Sequence, residues 1–438
     1  MPFKDLPEPT SSLASPGVLP GSRAWLRLLL AVMVAALLIL PAGCLSTLLW
    51  QVLEPVPTIV DFEIPDPVDT VTSQTESEPL PTVSSGLQTE ATVPQVATDE
   101  EISQLLLEGL QARQREISLD QAFPARAVSE KDIQLTIDHV FKLYQAVYSR
   151  HPEFYYLDGS INVSYTAVKG PDSYLDSLTV KPQYWPRTEN LSDASLDQLI
   201  GEIDRIVGKL VLEIRKEADT PWEQLLLVHD FLIRHIAYDE TLDPAKNQVI
   251  SALLDGETLC QGYAQTFQLI GQRLGFDVRL ISGETGGAGH AWNLVKLDGK
   301  YYHVDVTHDD PTPDRGPEAA IGHIHFLRSD SVMKETHKWN AAEYPACPTD
   351  GAHYYRQNKL TVDTRPALNK LLVKYIGSLD LSSGEVTLLE LLYAGSDMPD
   401  ERLVGQMLED ALSELSVSYS IHYSLQVAKN VISLGISP

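Results

Sequence analysis

Three residues in one short stretch of the chain could act together as a nucleophile, a base and an orienting acid. They are Cys260, His290 and Asp305. A thiolate is a strong nucleophile, but only a few per cent of an ordinary cysteine is ionised near neutral pH. A neighbouring imidazole can take up the thiol proton, and a carboxylate can fix the tautomer and orientation of that imidazole. These residue types therefore predict covalent thiol chemistry if the fold brings them together.

Cys260 is predicted to lie at the start of a helix. Tyr263, Phe267, Ile270 and Leu274 follow it with helical spacing, and a glycine that can end the helix comes next. The partial positive charge at a helix N-terminus favours a thiolate. The N–H groups there could also stabilise an oxyanion during acyl transfer.

His290 and Asp305 are predicted to lie on paired β-strands. Asp298-Gly299 is a strong signal for a two-residue hairpin turn between two strand-like runs. Pairing outward from this turn places His290 opposite residue 307 and Asp305 opposite Trp292, two residues along on the same face. A diagonal pair on one face is within side-chain reach. The spacing thus predicts a contact between the histidine and the aspartate.

The residues around these three positions resemble the transglutaminase-like superfamily of papain-related thiol enzymes, and within it the bacterial membrane-anchored branch. The matching segments are C-Q-G-Y-A at Cys260, H-A-W-N at His290 and D-V-T-H-D-D-P from Asp305. The resemblance implies that Cys260 is the nucleophile, His290 the general base and acid, and Asp305 the residue that orients His290. One position departs from the pattern, because many members have tryptophan where this chain has His308.

The composition limits the classes of partner and the cysteine chemistry. The formal net charge is -27, which argues against a nucleic-acid partner. The hydrophobic content of 43% is ordinary for a chain with a large core. The three cysteines are Cys44, Cys260 and Cys347, so no even set of disulfides is available. We expect Cys347 to be a free, structural cysteine.

The N-terminal part of the chain predicts a membrane anchor. Residues 1–22 are rich in proline and serine and are predicted to form a disordered cytoplasmic tail. Residues 23–50 contain Arg23 and Arg27, followed by an uncharged apolar run long enough to cross a bilayer. The basic flank on the N-terminal side predicts that the rest of the chain lies outside the cytoplasm. Residues 51–98 are rich in proline, threonine, serine and acids, and they predict an extended linker.

The favoured interpretation of residues 23–50 is an uncleaved, single-pass signal anchor in the cell membrane. One alternative is a lipoprotein signal, because the segment L-P-A-G-C ending at Cys44 resembles a lipidation box. Against it, Pro41 stands where that box usually has an aliphatic residue, and the apolar run continues past Cys44. A cleaved signal peptide is the third interpretation. All three place the bulk of the chain outside the cytoplasm.

The rest of the chain is predicted to be α+β and to divide into three regions. Residues 99–195 are predicted to form a small α+β region, and residues 346–438 another. The resemblance implies that residues 196–345 form a papain-like core, with the cysteine helix packed against an antiparallel sheet that carries the histidine and the aspartate. In the last region, residues 376–381 and 386–393 are predicted strands around a serine–glycine turn.

Other histidines raise the question of a metal site. His229 lies on an apolar helical face, which is more typical of a core histidine than of a catalytic one. Residues 303–353 contain six further histidines, His303, His308, His323, His325, His337 and His353. No cysteine pair or H-E-x-x-H motif accompanies them, so we expect neither a metal nor a cofactor.

These observations predict an extracytoplasmic, membrane-anchored cysteine enzyme that acts on amide bonds of proteins or peptides through a thioester. Resolution by water would make it a protease or amidase, and resolution by an amine would make it a transglutaminase-type acyl transferase. The expected partners are protein or peptide substrates of the cell surface or cell wall. The alternative is a non-catalytic surface module that binds peptides with the same fold.

Overall fold

A computed structural model describes residues 97–123, 129–168, 174–310, 312, 321–378, 387–415, 422–428 and 430–437. The predicted tail and anchor, and nearly all of the predicted linker, lie outside these residues. No helix within the described residues has the length and apolar character needed to cross a membrane.

The first region packs two helices against an antiparallel sheet of order β1-β3-β2. Each helix starts at a capping box, in which the side chain of the N-cap residue and that of the third helical residue bond each other's backbone N–H groups. The N-cap residues are Thr98 and Ser129. The elements are α1 (Asp99–Gln111), β1 (Ile117–Ser118), α2 (Glu130–Tyr148), β2 (Leu157–Val168), β3 (Tyr174–Tyr184) and α3 (Pro186–Glu189).

Two amphipathic helices, α4 (Asp193–Glu217) and α5 (Pro221–His235), lead into the core. The capping box of α5 joins Thr220 to Glu223, with Pro221 in the first turn. The buried residues of both helices belong to one hydrophobic cluster that also contains residues of α1, α2 and the central helix described next. The first region and the core therefore share one interior, while the division between them stays a prediction.

The core packs a helix, α6 (Cys260–Leu274), against a five-stranded antiparallel sheet of order β10-β6-β7-β8-β9. Gly275 ends α6 with a φ of 103°, a left-handed conformation that favours glycine. The other elements of this region are β4 (Ala237–Tyr238), β5 (Glu257–Thr258), β6 (Val278–Thr285), β7 (Ala288–Leu297), β8 (Lys300–Val304), α7 (Val306–Asp309), β9 (Phe326–Arg328), α8 (Asp330–Met333) and β10 (His337–Lys338).

The hairpin between β7 and β8 forms at the predicted turn, but its strands are shorter than predicted. Leu297 pairs with Lys300, and the pairing ends where Asn293 meets Val304. The prediction that His290 lies opposite residue 307 is therefore wrong, and His290 instead pairs with Gly283 of β6. The strand stops because the next residue, Asp305, accepts a hydrogen bond from the backbone of His308 and so begins α7.

The C-terminal region has its own hydrophobic cluster, formed by two helices on a four-stranded sheet of order β11-β12-β14-β13. The predicted strand at residues 376–381 is wrong at its start, because the helix before it continues to Ile376; residues 379–381 lie outside the described part. The elements are α9 (Tyr354–Gln357), β11 (Thr361–Val362), α10 (Arg365–Ile376), β12 (Thr387–Tyr393), α11 (Glu401–Glu414), β13 (His422–Ala428) and β14 (Val431–Ser437).

Candidate active site

Cys260 is the first residue of α6, as predicted, and it is partly exposed. The residue before it, Leu259, provides no side-chain cap. Instead the amide oxygen of Asn247 accepts hydrogen bonds from the N–H groups of Gln261 at 2.9 Å and Gly262 at 3.2 Å. Two of the N–H groups that could have stabilised an oxyanion are thus already bonded. They serve to fix the start of the helix that carries the thiol.

Close packing behind the thiol explains the glycine in C-Q-G. A Cβ atom on Gly262 would lie 1.8 Å from Oγ1 of Thr258. That hydroxyl is itself held, because it donates to the carbonyl of Lys246 at 2.6 Å. Any side chain at residue 262 would push α6 away from β5. The glycine therefore determines the position of Cys260 as well as the local packing.

His290 lies on β7 and is almost fully buried. The strand is tied to the cysteine helix by Asn293, whose Nδ2 donates to the carbonyl of Ala264 at 3.0 Å. His290 Nε2 lies 2.9 Å from Oδ2 of Asp305, so the predicted contact is present although the predicted strand pairing is not. Cys260 lies close enough to the His290 ring to help raise its pKa. The three residues singled out in the sequence thus form one continuous set of contacts.

The carboxylate of Asp305 is shared by three imidazoles. Its Oδ2 lies 2.9 Å from Nε2 of His290, 2.7 Å from Nδ1 of His308 and 2.9 Å from Nε2 of His337. Because an ionised carboxylate only accepts hydrogen bonds, each of these ring nitrogens carries a hydrogen. His290 is then left with Nδ1 as its basic nitrogen for the thiol of Cys260.

The charges at the site favour proton transfer to His290. Burial of His290 disfavours its charged form, but the charge and hydrogen bond of Asp305, together with the contact with Cys260, outweigh burial and raise its pKa to about 10. Burial likewise opposes ionisation of Asp305, yet His290 and His308 hold the pKa of this carboxyl well below its usual range. The arrangement therefore stabilises an imidazolium at His290, next to the thiol of Cys260.

The sequence reasoning did not assign a role to His308 or His337. His308 was noted only as a departure from the family pattern, and His337 only as part of a histidine-rich region. The signal available for His308 was its place three residues after Asp305, at the start of α7. No local pattern indicates His337, because β10 brings it to Asp305 from 32 residues away.

A second group of histidines and aspartates lies next to the first. His229, which the sequence placed in the core, is fully buried between Asp230 at 2.9 Å and Asp309 at 3.2 Å. Asp230 also contacts Nε2 of His323 at 3.0 Å, and Asp309 contacts Nδ1 of His325 at 2.8 Å. Burial alone would lower the pKa of His229, but the hydrogen bonds that its ring donates to the two aspartates outweigh burial and raise the pKa to about 9. These histidines and aspartates form one network of hydrogen-bonded pairs, in which Asp309 belongs to α7.

Cys347 is free and fully buried, in agreement with the prediction of a structural cysteine. Its N–H donates to Asp330 at 3.1 Å, and Asp330 also contacts His303 at 2.9 Å. Burial, followed by the negative charge of Asp330, raises the pKa of this thiol. Cys347 is therefore a poor candidate for a second nucleophile.

Three groups in the part of the chain that the structure describes have ligand atoms close enough to hold a metal ion, within 4.8 Å of one another. In each group, hydrogen bonds between histidine and aspartate account for the closeness. The expectation of no metal stays a prediction. The groups are His290, Asp305, His308 and His337; His229, Asp230 and His323; and His303, Asp330 and Cys347.

Comparisons with known proteins match the region that holds this site. Residues 208–306 match the family model of the transglutaminase-like superfamily. The human kyphoscoliosis peptidase (Homo sapiens) is 28% identical over 117 residues, covering 23% of this chain and 18% of that protein. The chain therefore spans less than a fifth of the length of this curated relative.

Two solved structures each align with less than half of this chain. A crystal structure of a TGase aligns with 47% of this chain and 53% of its own, at 14% identity and a TM-score of 0.26. A proposed cysteine protease from Cytophaga hutchinsonii aligns with 35% of this chain and 66% of its own, at 12% identity and a TM-score of 0.23. With Cys260 starting a helix that packs on the sheet of His290, and a family match across residues 208–306, the chain carries a core of the transglutaminase-like superfamily.

Proposed function

We propose that this protein is a thiol enzyme that cleaves amide bonds of proteins or peptides with Cys260, His290 and Asp305. The observation that carries the proposal is the position of His290. One ring nitrogen bonds the carboxylate of Asp305 at 2.9 Å, and the ring lies beside Cys260, which helps to raise the pKa of His290. This is the arrangement needed for a base that removes a thiol proton and keeps its tautomer.

The proposed reaction begins with the thiolate of Cys260 and the imidazolium of His290. The sulfur attacks the amide carbonyl carbon, and the carbonyl electrons move to oxygen. When the carbonyl re-forms, the C–N bond breaks and the leaving nitrogen takes the proton of His290. A thioester on Cys260 remains, with neutral His290 beside it. Water or an amine then attacks the thioester and releases the thiolate.

Water is the acceptor that we propose first. The relative found by sequence is named a peptidase. An amine acceptor would make the protein an acyl transferase of the transglutaminase type. A module that only binds peptides would use the same fold without forming a thioester.

We further propose that the enzyme works outside the cytoplasm, anchored to the cell membrane by residues 23–50. The support is the sequence alone, since this run is apolar and follows two arginines. Surface or cell-wall proteins and peptides would then be its substrates. Digestion of intact cells with an added protease tests this proposal, because an extracytoplasmic core is degraded and a cytoplasmic core is protected.

The test of the enzymatic proposal is a peptide library incubated with the protein, with and without a primary amine. Shortened peptides indicate a protease, and peptides that gain the amine indicate a transferase. Cys260→Ala should abolish either product. Cys347→Ala is the matched control, because it removes the other cysteine among the described residues and should leave turnover intact. Peptides that bind but are never converted would contradict the proposal and favour the binding module.

A further inference from the structure

His308 has the same aspartate partner as His290, the base of the proposed site. Its Nδ1 lies 2.7 Å from Oδ2 of Asp305, the oxygen that also bonds His290. Two histidines of the site therefore form separate pairs with a single aspartate. Nothing in the mechanism above uses the second pair.

The two ends of the His308 ring differ in their surroundings. Nδ1 is anchored to Asp305, and the backbone N–H of His308 bonds Oδ1 of the same side chain at 3.3 Å. Nε2 makes no hydrogen bond to any residue of the described ranges. The side chain is 34% exposed, whereas that of His290 is 5% exposed. A ring held at one nitrogen and open to solvent at the other is suited to exchange protons with an incoming molecule.

His308 is also close to the reacting groups. Its ring meets that of His290 edge-on, with the ring centroids 4.6 Å apart, and His290 in turn lies beside Cys260. His337 offers a contrast, because it bonds the same Asp305 oxygen but is fully buried, and its second nitrogen contacts Thr336 at 2.8 Å. His337 is therefore suited only to positioning Asp305.

We propose that His308 is a catalytic residue of the second half of the reaction, in which it takes the proton of the molecule that resolves the thioester. The inference deepens the proposed function and rests on it. It also offers a reason for histidine where many family members have tryptophan, since an indole has no basic nitrogen.

The proposed step balances as follows. Water, or an amine, attacks the thioester carbon while Nε2 of His308 accepts its proton. The tetrahedral intermediate collapses, the C–S bond breaks, and the electron pair leaves with the sulfur of Cys260. His308 then releases its proton to solvent, which its exposed ring can reach. His290 takes up a proton from solvent and restores the starting ion pair.

The variant that separates catalysis from positioning is His308→Asn. The amide nitrogen of asparagine can occupy the place of Nδ1 and still donate to Asp305, but asparagine has nothing at the place of Nε2. His308→Ala removes both functions. If His308 only positioned Asp305, asparagine would rescue the activity lost with alanine. If Nε2 is the base, asparagine and alanine should be equally defective.

The experiment uses the full chain and 4-nitrophenyl acetate as the acyl donor. Release of nitrophenol measures turnover, and intact-mass spectrometry measures the acetyl group held on Cys260. We expect His308→Asn to accumulate acetyl-Cys260 relative to the wild type and to lose it about 100-fold more slowly, which is a typical contribution of one general base. Thermal melting checks that the variant is folded, and its retained bond to Asp305 makes folding the expected result.

The outcomes are distinguishable. If Cys260→Ala releases nitrophenol as fast as the wild type, the proposed function itself fails. If Cys260 is acetylated and His308→Asn loses the acetyl group at the wild-type rate, only the role of His308 is overturned. A variant that is slow to acquire the acetyl group, and not to lose it, would also overturn that role, because it would place His308 in the first half of the reaction.

Discussion

Raising the pH from about 6.5 to about 9 should destabilise the fold through one buried side chain, His229. Its Nδ1 contacts Asp230 at 2.9 Å and its Nε2 contacts Asp309 at 3.2 Å. Since carboxylates only accept hydrogen bonds, both nitrogens carry hydrogen and the ring is charged. Burial opposes that charge, but the two aspartates outweigh burial and raise the pKa of His229 to about 9.

The size of the effect follows from the difference between the folded and unfolded states. An unfolded histidine has a pKa of about 6.5, so the higher value in the fold corresponds to about 3 kcal/mol of stability. Because the folded pKa is the higher one, this contribution is fully present below about pH 6.5. It is lost as the pH rises through about 9.

Urea unfolding followed by tryptophan fluorescence measures this loss. Trp222 reports on the region, because it packs edge-on against Phe326, which also contacts the ring of His229. The comparison variant is His229→Gln. In this variant Asp230 keeps its hydrogen bond with His323, and Asp309 keeps its hydrogen bond with His325. Between these pH values the free energy of unfolding of the wild type should fall by about 3 kcal/mol more than that of the variant. Parallel pH dependence in the two proteins would refute the charged state of His229.

Three other substitutions and modifications have defined outcomes. His337→Gln keeps an N–H donor for Asp305 and should keep most of kcat in a turnover assay. His337→Leu has no such donor and should lower kcat by roughly 10-fold to 100-fold. Equal rates for the two variants would contradict a positioning role of His337. Asn247→Ala removes the hydrogen bonds to the start of α6. It should lower the free energy of unfolding by about 1 kcal/mol in a urea titration. It should also lower kcat in a rate assay. Iodoacetamide should modify Cys260 in the native protein and reach Cys347 only in urea, as peptide mass mapping can check.

Local sequence signals predicted the elements that carry the site. The helical spacing after Cys260 and the glycine that follows it located α6, and Asp298-Gly299 located the hairpin. Each of these signals depends on residues within a few positions of one another.

The contact between His290 and Asp305 was predicted for an incorrect reason. The sequence argument extended the hairpin to residue 307, but Asp305 leaves the strand to cap α7, and its own N–H bonds the carbonyl of His325. The contact between His290 and Asp305 still forms, because Asp305 remains beside β7 beyond the last paired residues of β7 and β8. A capping aspartate directly after a strand gives the same signal in sequence as one more strand residue.

The features that were missed all depend on contacts between distant segments. Asn247 caps α6 from a loop, and His337 reaches Asp305 from the edge strand β10. Neither has a periodic pattern around it that indicates its partner. The extra length of α10 up to Ile376 was missed because its β-branched and aromatic residues also fit a strand.

The central claim is that His290 activates Cys260, and the rate of alkylation of Cys260 by iodoacetamide tests it most directly. The rate should be measured by peptide mass mapping in the full chain from about pH 5 to about pH 9, in the wild type, His290→Ala and Asp305→Asn. The account predicts rapid alkylation of wild-type Cys260 at about pH 6 and a rate at least about tenfold lower in both variants. Equal rates in all three proteins, with intact folds, would contradict it.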